Sequence, residues 1–241
     1  MCGIIARAGL GDAVPLVLSG LENLEYRGYD SAGVAVQNGD GVDVYKRSGE
    51  VSELSAAIRD GVASGNVGIG HTRWSTHGPP TDANAHPHTD VNDKVAVVHN
   101  GIIENHQELR ERLTKIGYEF TSDTDTEVVP HLFEHYLGRT EDPEAAFRRT
   151  VSDLEGSYAI TAIVDGKEAV YGARQGSPLV LGVADSEYFL ASDVPAFLES
   201  TDEVIYLEDG DIAVLRPESA AVTNLEGDDV VRDTEHVDWD P

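Results

Sequence analysis

The sequence predicts an α+β fold in which two mainly antiparallel β-sheets lie between layers of helices. Two patterns support this prediction. Segments with apolar residues at helical spacing dominate the stretch before residue 155, and strand-like segments separated by short turns fill the stretch after it. Short turns join strands that run antiparallel. Hydrophobic residues make up 40% of the 241-residue chain, which is enough for a substantial core.

The first half of the chain contains the predicted helices. It opens with a buried strand at residues 2–8 and a helix at residues 11–25, in which Val14, Leu18 and Leu21 recur at helical spacing. The elements that follow are a hairpin of residues 31–37 and 42–47, a helix at 51–62, a strand at 66–73, a polar loop at 74–93, a strand at 94–99 and helices at 105–116, 126–137 and 143–154.

The second half predicts strands joined by short turns. They are expected at residues 158–164, 168–173, 179–183, 188–191, 204–207, 211–215 and 220–224. The last sixteen residues are acidic and show little periodicity. We therefore expect one domain over residues 1–225, followed by an acidic tail or truncated inter-domain linker at residues 226–241.

The charge is strongly one-sided, with 44 acidic against 17 basic residues and a formal net charge of −27. Such a chain repels nucleic-acid phosphates and anionic membranes, so neither is expected as a partner. The acidic residues are dispersed rather than blocked. An acidic surface that binds a partner is one interpretation, and the dispersal favours the other, a halophilic protein kept soluble in strong salt.

The N-terminus has no basic segment followed by an apolar stretch, and no apolar run approaches the length of a membrane span. We therefore expect a cytoplasmic protein. The single cysteine excludes an internal disulfide framework.

That cysteine is Cys2, directly after Met1. A small apolar residue at the start of a buried strand is its ordinary interpretation. Removal of Met1, however, would give Cys2 both a thiol and a free α-amine. An α-amine has a pKa of about 8, so it can accept the thiol proton near neutral pH. Nucleophile and general base would then come from one residue, which is the N-terminal nucleophile arrangement.

Seven motifs follow in order and give this arrangement a family context. They read CGII (residues 2–5), EYRGYDSAG (25–33), GHTRWSTHG (70–78), NAHPH (84–88), HNGIIENH (99–106), SDTDTE (122–127) and RQGSPLV (174–180). Together they resemble the glutaminase domain of the glucosamine-6-phosphate synthases, the isomerising glutamine–fructose-6-phosphate aminotransferases. These are class II glutamine amidotransferases.

The resemblance implies the four-layer αββα sandwich of the N-terminal-nucleophile hydrolases. It also implies hydrolysis of L-glutamine to glutamate and ammonia through a Cys2 thioester, with no metal or organic cofactor. Family members continue into sugar-isomerase domains that bind fructose 6-phosphate and receive the ammonia. This chain stops before them, so we expect those domains as a missing partner and a homodimer for the full-length protein. A glutaminase serving another ammonia acceptor, or a non-catalytic regulatory domain of the same fold, are the alternatives.

The resemblance assigns Asn100 and Gly101 to an oxyanion hole, since a side-chain amide and a glycine N–H are two neutral donors. An ordinary turn after a strand is the alternative for this Asn-Gly pair. Arg73 resembles the residue that binds the glutamine α-carboxylate, and a surface ion pair is its alternative. Asp125 resembles the residue that binds the α-ammonium group. A helix capping box from Thr124 to Glu127 competes with that role.

Thr76 and His77 resemble further glutamine contacts. Trp74 resembles the aromatic residue that covers the pocket, with a core aromatic as its alternative. Arg27 resembles a supporting residue that orders the chain near the N-terminal amine. A zinc site at His86 and His88 is disfavoured, because no cysteine accompanies them and their spacing suits zinc poorly.

Overall fold

The computed structural model describes residues 2–39, 41–59, 64–74, 79–140 and 142–238. The strands are Gly3–Gly9 (β1), Ser31–Gln37 (β2), Val42–Ser48 (β3), Val67–Arg73 (β4), His88–Thr89 (β5), Val95–Ile103 (β6), Gly156–Val164 (β7), Val170–Gln175 (β8), Val180–Ala184 (β9), Glu187–Ala191 (β10), Glu203–Tyr206 (β11), Ile212–Arg216 (β12), Ser219–Thr223 (β13) and Glu235–His236 (β14). The helices are Val14–Asn23 (α1), Val51–Arg59 (α2), His106–Lys115 (α3), Val128–Thr140 (α4) and Pro143–Ser152 (α5).

The strands form two sheets. One has eight strands in the order β14-β11-β9-β10-β1-β4-β2-β3, and the other has six in the order β13-β12-β8-β7-β6-β5. Neighbouring strands of both sheets are antiparallel, so the predicted sheet arrangement is confirmed. Strand β1 lies inside the larger sheet, where Ile5 stands opposite Gly70 of β4 and Ala191 of β10.

Both faces of each sheet are buried, which produces four layers. Along β1, Ile4 points into the core between the sheets, and Ile5 points into the core under α1 and α2. We call the first the middle core; it also contains Ile69, Val98 and Ile163. Helices α3 to α5 cover the outer face of the six-stranded sheet. The order of layers is therefore helix, sheet, sheet, helix, as the family resemblance implies.

Two elements differ from their predicted bounds. Strand β6 continues to Ile103 rather than ending at His99, because Asn100 and Gly101 pair with Ala159 and Tyr158 of β7. The turn interpretation of the Asn-Gly pair is therefore wrong. The predicted helix at 11–25 is shorter, since it ends at Asn23 and a 3-10 turn, Glu25–Arg27, follows it. The described part of α2 ends at Arg59, so the predicted residues 60–62 lie outside the described chain.

Part of the acidic tail contacts the body of the molecule. Strand β14 pairs with β11, and the Arg232 guanidinium donates two hydrogen bonds of 2.8 Å to the buried Asp211 carboxylate. The domain boundary near residue 225 stays a prediction. Within the described ranges, no helix is long and apolar enough to cross a bilayer.

Candidate active site

Cys2 lies directly before β1 and is held from three sides. Its carbonyl oxygen accepts hydrogen bonds from Arg27 Nε at 3.1 Å and from Asn100 Nδ2 at 3.0 Å. The Trp74 N–H donates to the sulfur at 3.2 Å. Burial raises the pKa of the Cys2 thiol above its ordinary value, although the hydrogen bond from Trp74 and the nearby Arg73 and Arg27 charges oppose this. The thiol is therefore protonated near neutral pH, and attack on a substrate requires a base.

Asn100 and Gly101 come from the other sheet, at the point where β6 passes Cys2. Gly101 has φ of +119°, and a Cβ at this position would collide with the carbonyl oxygen of Ser157 on β7. Only glycine fits there without strain. The strand thus carries the Asn100 amide and the Gly101 backbone to the edge of the cavity that contains the thiol.

Arg73 and Asp125 line the same cavity as the Cys2 thiol. Arg73 ends β4 and is only 4% exposed, so the surface ion-pair interpretation is wrong. Burial lowers the pKa of Arg73, while the Asp30 and Asp125 carboxylates raise it. Asp125 is also buried, and its Oδ2 accepts the Ile103 N–H of β6 at 2.8 Å. A cation and an anion thus flank one small cavity, which suits a zwitterionic ligand.

The SDTDTE motif forms a turn that presents Asp125. Glu127 is buried and accepts hydrogen bonds from the backbone N–H and the hydroxyl groups of Thr121 and Ser122. Burial alone would raise the pKa of Glu127, but the His131 imidazole 3.7 Å away and hydrogen bonds from Ser122 and Thr121 outweigh it and hold that pKa well below its usual range. Helix α4 begins only at Val128, so the predicted capping box is not formed.

Trp74 and Arg27 both contact Cys2. The Trp74 side chain is 46% exposed and packs edge-on against Tyr29, with ring centroids 5.6 Å apart, so its interpretation as a core aromatic is wrong. Arg27 is buried, and besides the Cys2 carbonyl it binds Asp193 Oδ2 at 2.9 Å. Tyr26 donates to the same oxygen at 2.7 Å. Asp193 thereby fixes Arg27.

The structure therefore gathers most of the predicted site residues. Among the residues that the structure describes, one cavity is lined by Cys2, His71, Arg73, Trp74, His86, His99, Gly101, Thr124, Asp125 and Thr126. A second, adjoining cavity reaches Cys2 past Arg27 and Asn100. Thr76 and His77 lie outside the described residues. His71 and Asp193 were not predicted from the sequence. The sequence feature that marked His71 was its position inside the GHTRWSTHG motif, and the one that marked Asp193 was its position beside a turn.

His86 and His99 in the cavity wall, and His88 next to them, are buried and hydrogen bonded to threonines. His88 Nε2 lies 3.0 Å from the Thr124 hydroxyl, and the Thr126 hydroxyl lies 2.9 Å from His99 Nδ1 and 3.3 Å from His86 Nε2. Burial lowers the pKa of His88 to about 3 and that of His86 well below its ordinary value. In the described part of the chain no His, Cys, Asp or Glu cluster is arranged to hold a metal ion.

A family model for the glutamine amidotransferase domain matches residues 71–199. The chain belongs to this family. It is 43% identical over 100% of its length to a glutamine–fructose-6-phosphate aminotransferase (isomerising) from Sulfurisphaera tokodaii, covering 42% of that relative. It is 48% identical to a protein of the same name from Thermus thermophilus, covering 99% of this chain and 39% of that one. This glutamine amidotransferase domain thus spans about two-fifths of the length of these curated relatives.

A comparison with solved structures agrees with this family assignment. The glutamine phosphoribosylpyrophosphate amidotransferase from B. subtilis, solved with ADP and GMP, has a TM-score of 0.78 and 26% identity, over 93% of this chain and 49% of that one. The predicted family and the N-terminal-nucleophile amidotransferase fold of this glutamine amidotransferase domain are confirmed.

Proposed function

We propose that this domain hydrolyses L-glutamine to glutamate and ammonia through a γ-glutamyl thioester on Cys2. One observation carries the proposal: the thiol of Cys2 shares a buried cavity with a guanidinium, Arg73, and a carboxylate, Asp125. Glutamine carries an α-carboxylate and an α-ammonium group at one end and the reacting amide at the other. The two charged side chains match the first end and leave the amide for the sulfur.

The thiol needs a base, because burial raises the pKa of Cys2. After removal of Met1, the α-amine of Cys2 would supply it, since its pKa lies at about 8. The amine takes the thiol proton as sulfur bonds to the amide carbon. It returns that proton to the leaving nitrogen as the C–N bond breaks and ammonia departs. Water then attacks the thioester, which releases glutamate and restores the thiol.

Negative charge develops on the carbonyl oxygen of the γ-amide when sulfur attacks, and on the carbonyl oxygen of the thioester when water attacks. The Asn100 side chain and the Gly101 N–H are the donors proposed to stabilise it, because β6 places both beside Cys2. Such neutral, fixed donors stabilise an oxyanion more than a ground-state carbonyl. Arg27 supports the site by holding the Cys2 carbonyl. Trp74 is proposed to cover bound glutamine, and Thr76 and His77 stay predicted glutamine contacts.

For the ammonia, we propose fructose 6-phosphate bound to sugar-isomerase domains as the acceptor, with glucosamine 6-phosphate as the product. The names of relatives 43% and 48% identical to this chain support this proposal. A homodimer of the full-length protein, a cytoplasmic location and adaptation to high salt belong to the same proposal. The charge of −27 supports the last of these.

The decisive experiment measures glutamate release from L-glutamine in molar KCl, after intact-mass analysis has verified the loss of Met1. Wild-type protein should release glutamate, and Cys2→Ala should release none. Arg149→Ala, a substitution of an exposed arginine on α5, is the matched control and should keep the wild-type rate. Equal release by wild type and Cys2→Ala contradicts the proposal. Joining the chain to the isomerase half of a relative and assaying glucosamine 6-phosphate tests the acceptor.

A further inference from the structure

His71 contacts the proposed oxyanion residue from behind. It lies on β4, one strand from Cys2, and its ring is 1% exposed. Its Nε2 lies 3.0 Å from Asn100 Oδ1 and 3.1 Å from the carbonyl oxygen of His99. Both of these oxygen atoms can only accept hydrogen bonds, so the ring proton of His71 must lie on Nε2. Among the described residues, Nδ1 has no hydrogen-bond partner, which agrees with that tautomer.

The other end of the Asn100 amide faces Cys2. Its Nδ2 donates to the Cys2 carbonyl oxygen at 3.0 Å. If the amide rotated by half a turn, its oxygen would face that carbonyl, and its NH2 group would face the His71 N–H. Both contacts would then be repulsive. The His71 proton therefore selects the amide orientation in which donor hydrogens point toward the nucleophile.

We infer that His71 is a positioning residue for glutamine hydrolysis, because its Nε2–H holds the Asn100 amide with the NH2 group turned toward the developing oxyanion. The inference rests on the proposed function. The proposed binding of glutamine does not depend on the contact between His71 and Asn100, since Arg73 and Asp125 reach the cavity from other backbone positions. Loss of the contact should therefore slow the chemistry and leave ligand binding unchanged.

The ring is suited to this task because it stays neutral. Burial lowers the pKa of His71 to about 3, and the hydrogen bonds to Asn100 and His99 only partly oppose this. His86 stacks on the ring with centroids 4.1 Å apart and restricts its rotation. The imidazole is therefore fixed in place, in one charge state, across the neutral pH range.

Three substitutions separate positioning from packing. His71→Gln places an amide N–H near the position of Nε2, His71→Asn places it near Nδ1, and His71→Leu places no donor there. We expect kcat for glutamine hydrolysis to fall about tenfold or more in the Leu and Asn variants, and to stay within about threefold in the Gln variant. The dissociation constant of L-glutamate should stay unchanged in all three.

Thr150→Val is the control for removing a buried hydrogen-bonding side chain away from the site. Thr150 lies on α5, is fully buried, donates to the Ala146 carbonyl oxygen of the same helix at 2.9 Å and does not line the cavity. Its kcat should equal that of the wild type. An equal loss of kcat in the Gln, Asn and Leu variants of His71, or weaker glutamate binding, would show a merely structural role and overturn the inference.

A readout without catalysis keeps the inference separate from the proposed function. Long-range ¹H–¹⁵N NMR of histidine-labelled wild-type protein should show His71 protonated on Nε2 between pH 6 and 8, which supports the inference. A proton on Nδ1 overturns it. Absence of cysteine-dependent glutamate release in the wild type, by contrast, contradicts the proposed function itself and with it the role of His71 in hydrolysis, whereas the NMR result still decides whether the His71 proton faces Asn100.

Discussion

The backbone conformation of Gly101 is needed both for the path of strand β6 and for the proposed oxyanion site. Its φ of +119° and the nearby Ser157 carbonyl oxygen exclude a side chain. We expect Gly101→Ala to lower kcat for glutamine hydrolysis about 100-fold and to cost about 1–3 kcal/mol of unfolding free energy. Steady-state kinetics and urea unfolding measure the two effects.

Gly117→Ala controls for backbone strain. Gly117 has φ of +104° with no atom near its missing Cβ, and it lies just after α3. Its substitution should cost stability and leave kcat unchanged. Full activity in Gly101→Ala would contradict the proposed oxyanion site.

The thiol gives a second prediction at the scale of one residue. Because burial raises the pKa of Cys2, its alkylation by iodoacetamide should keep accelerating between pH 7 and pH 9, with no plateau below pH 8. Intact mass reports this reaction directly, since Cys2 is the only cysteine. The chain unfolded in urea is the control and should react faster at pH 8. A plateau near pH 6 would show a thiolate stabilised by its surroundings instead.

The residues proposed to act on a ligand were predicted from the sequence, whereas those that hold them in place were not. Cys2, Arg73 and Asp125 carry chemistry that their motifs make recognisable. His71 and Asp193 act through Asn100 and Arg27, across 29 and 166 positions of the chain. Pairings over such separations are fixed only by the fold, so composition and spacing cannot reveal them.

Among the elements, the turn before α4 presents Asp125 to the cavity, so its hydrogen bonds should affect the binding of glutamine. Glu127→Gln should raise KM for glutamine about tenfold while kcat changes little, since the buried carboxylate binds the Thr121 and Ser122 backbone. Glu134→Gln, within the helix α4 that follows this turn, is the control and should keep both parameters. An unchanged KM in Glu127→Gln would show that Asp125 is held without Glu127.

The same carboxylate predicts a dependence of stability on pH. The pKa of Glu127 in the folded state lies well below its unfolded value of about 4.3. Its contribution is therefore complete above that pH and is lost as the pH falls toward the folded-state pKa. The difference in thermal midpoint between wild type and Glu127→Gln should thus be largest at pH 7 and shrink toward pH 3. A difference that stays constant would contradict this role.

Strand β6 shows why element bounds were harder to predict than element types. The predicted end at His99 followed from the loss of apolar residues at Asn100 and Gly101. The structure continues the strand to Ile103 because β7 supplies hydrogen-bonding partners from residues more than 50 positions later. Polar residues are stable inside a strand when the partner strand forms hydrogen bonds with their backbone and groups of the site form hydrogen bonds with their side chains.

For the whole molecule, the net charge of −27 predicts a requirement for salt. Repulsion among surface carboxylates opposes the compact state, and salt screens it. The thermal midpoint should rise by roughly 5 °C or more between 0.1 and 3 M KCl, by calorimetry. Sucrose at matched osmolality is the uncharged control and should have a smaller effect. Equal stability at both KCl concentrations would contradict the halophilic interpretation.

The tail offers a further test at this scale. Asp211 is 2% exposed and is neutralised by Arg232, which lies beyond the predicted boundary near residue 225. Arg232→Ala should lower the thermal midpoint more than Arg149→Ala, because the carboxylate that faces Arg149, Asp153, is less buried than Asp211 and keeps Arg112 as a partner. Truncation after Leu225 should lower it at least as much. Equal midpoints for all three proteins would show that the tail contributes nothing to the domain.

Cys2 directly precedes strand β1 of the eight-stranded sheet, whereas Asn100 and Gly101 belong to the six-stranded sheet. The spacing between the Cys2 sulfur and the proposed oxyanion donors is therefore set by the thickness of the middle core. Substitutions there that change side-chain volume would change turnover without touching glutamine. Laboratory evolution for faster turnover should accordingly recover compensating pairs across that layer, such as Ile69 with Val98, where one side chain grows as the other shrinks.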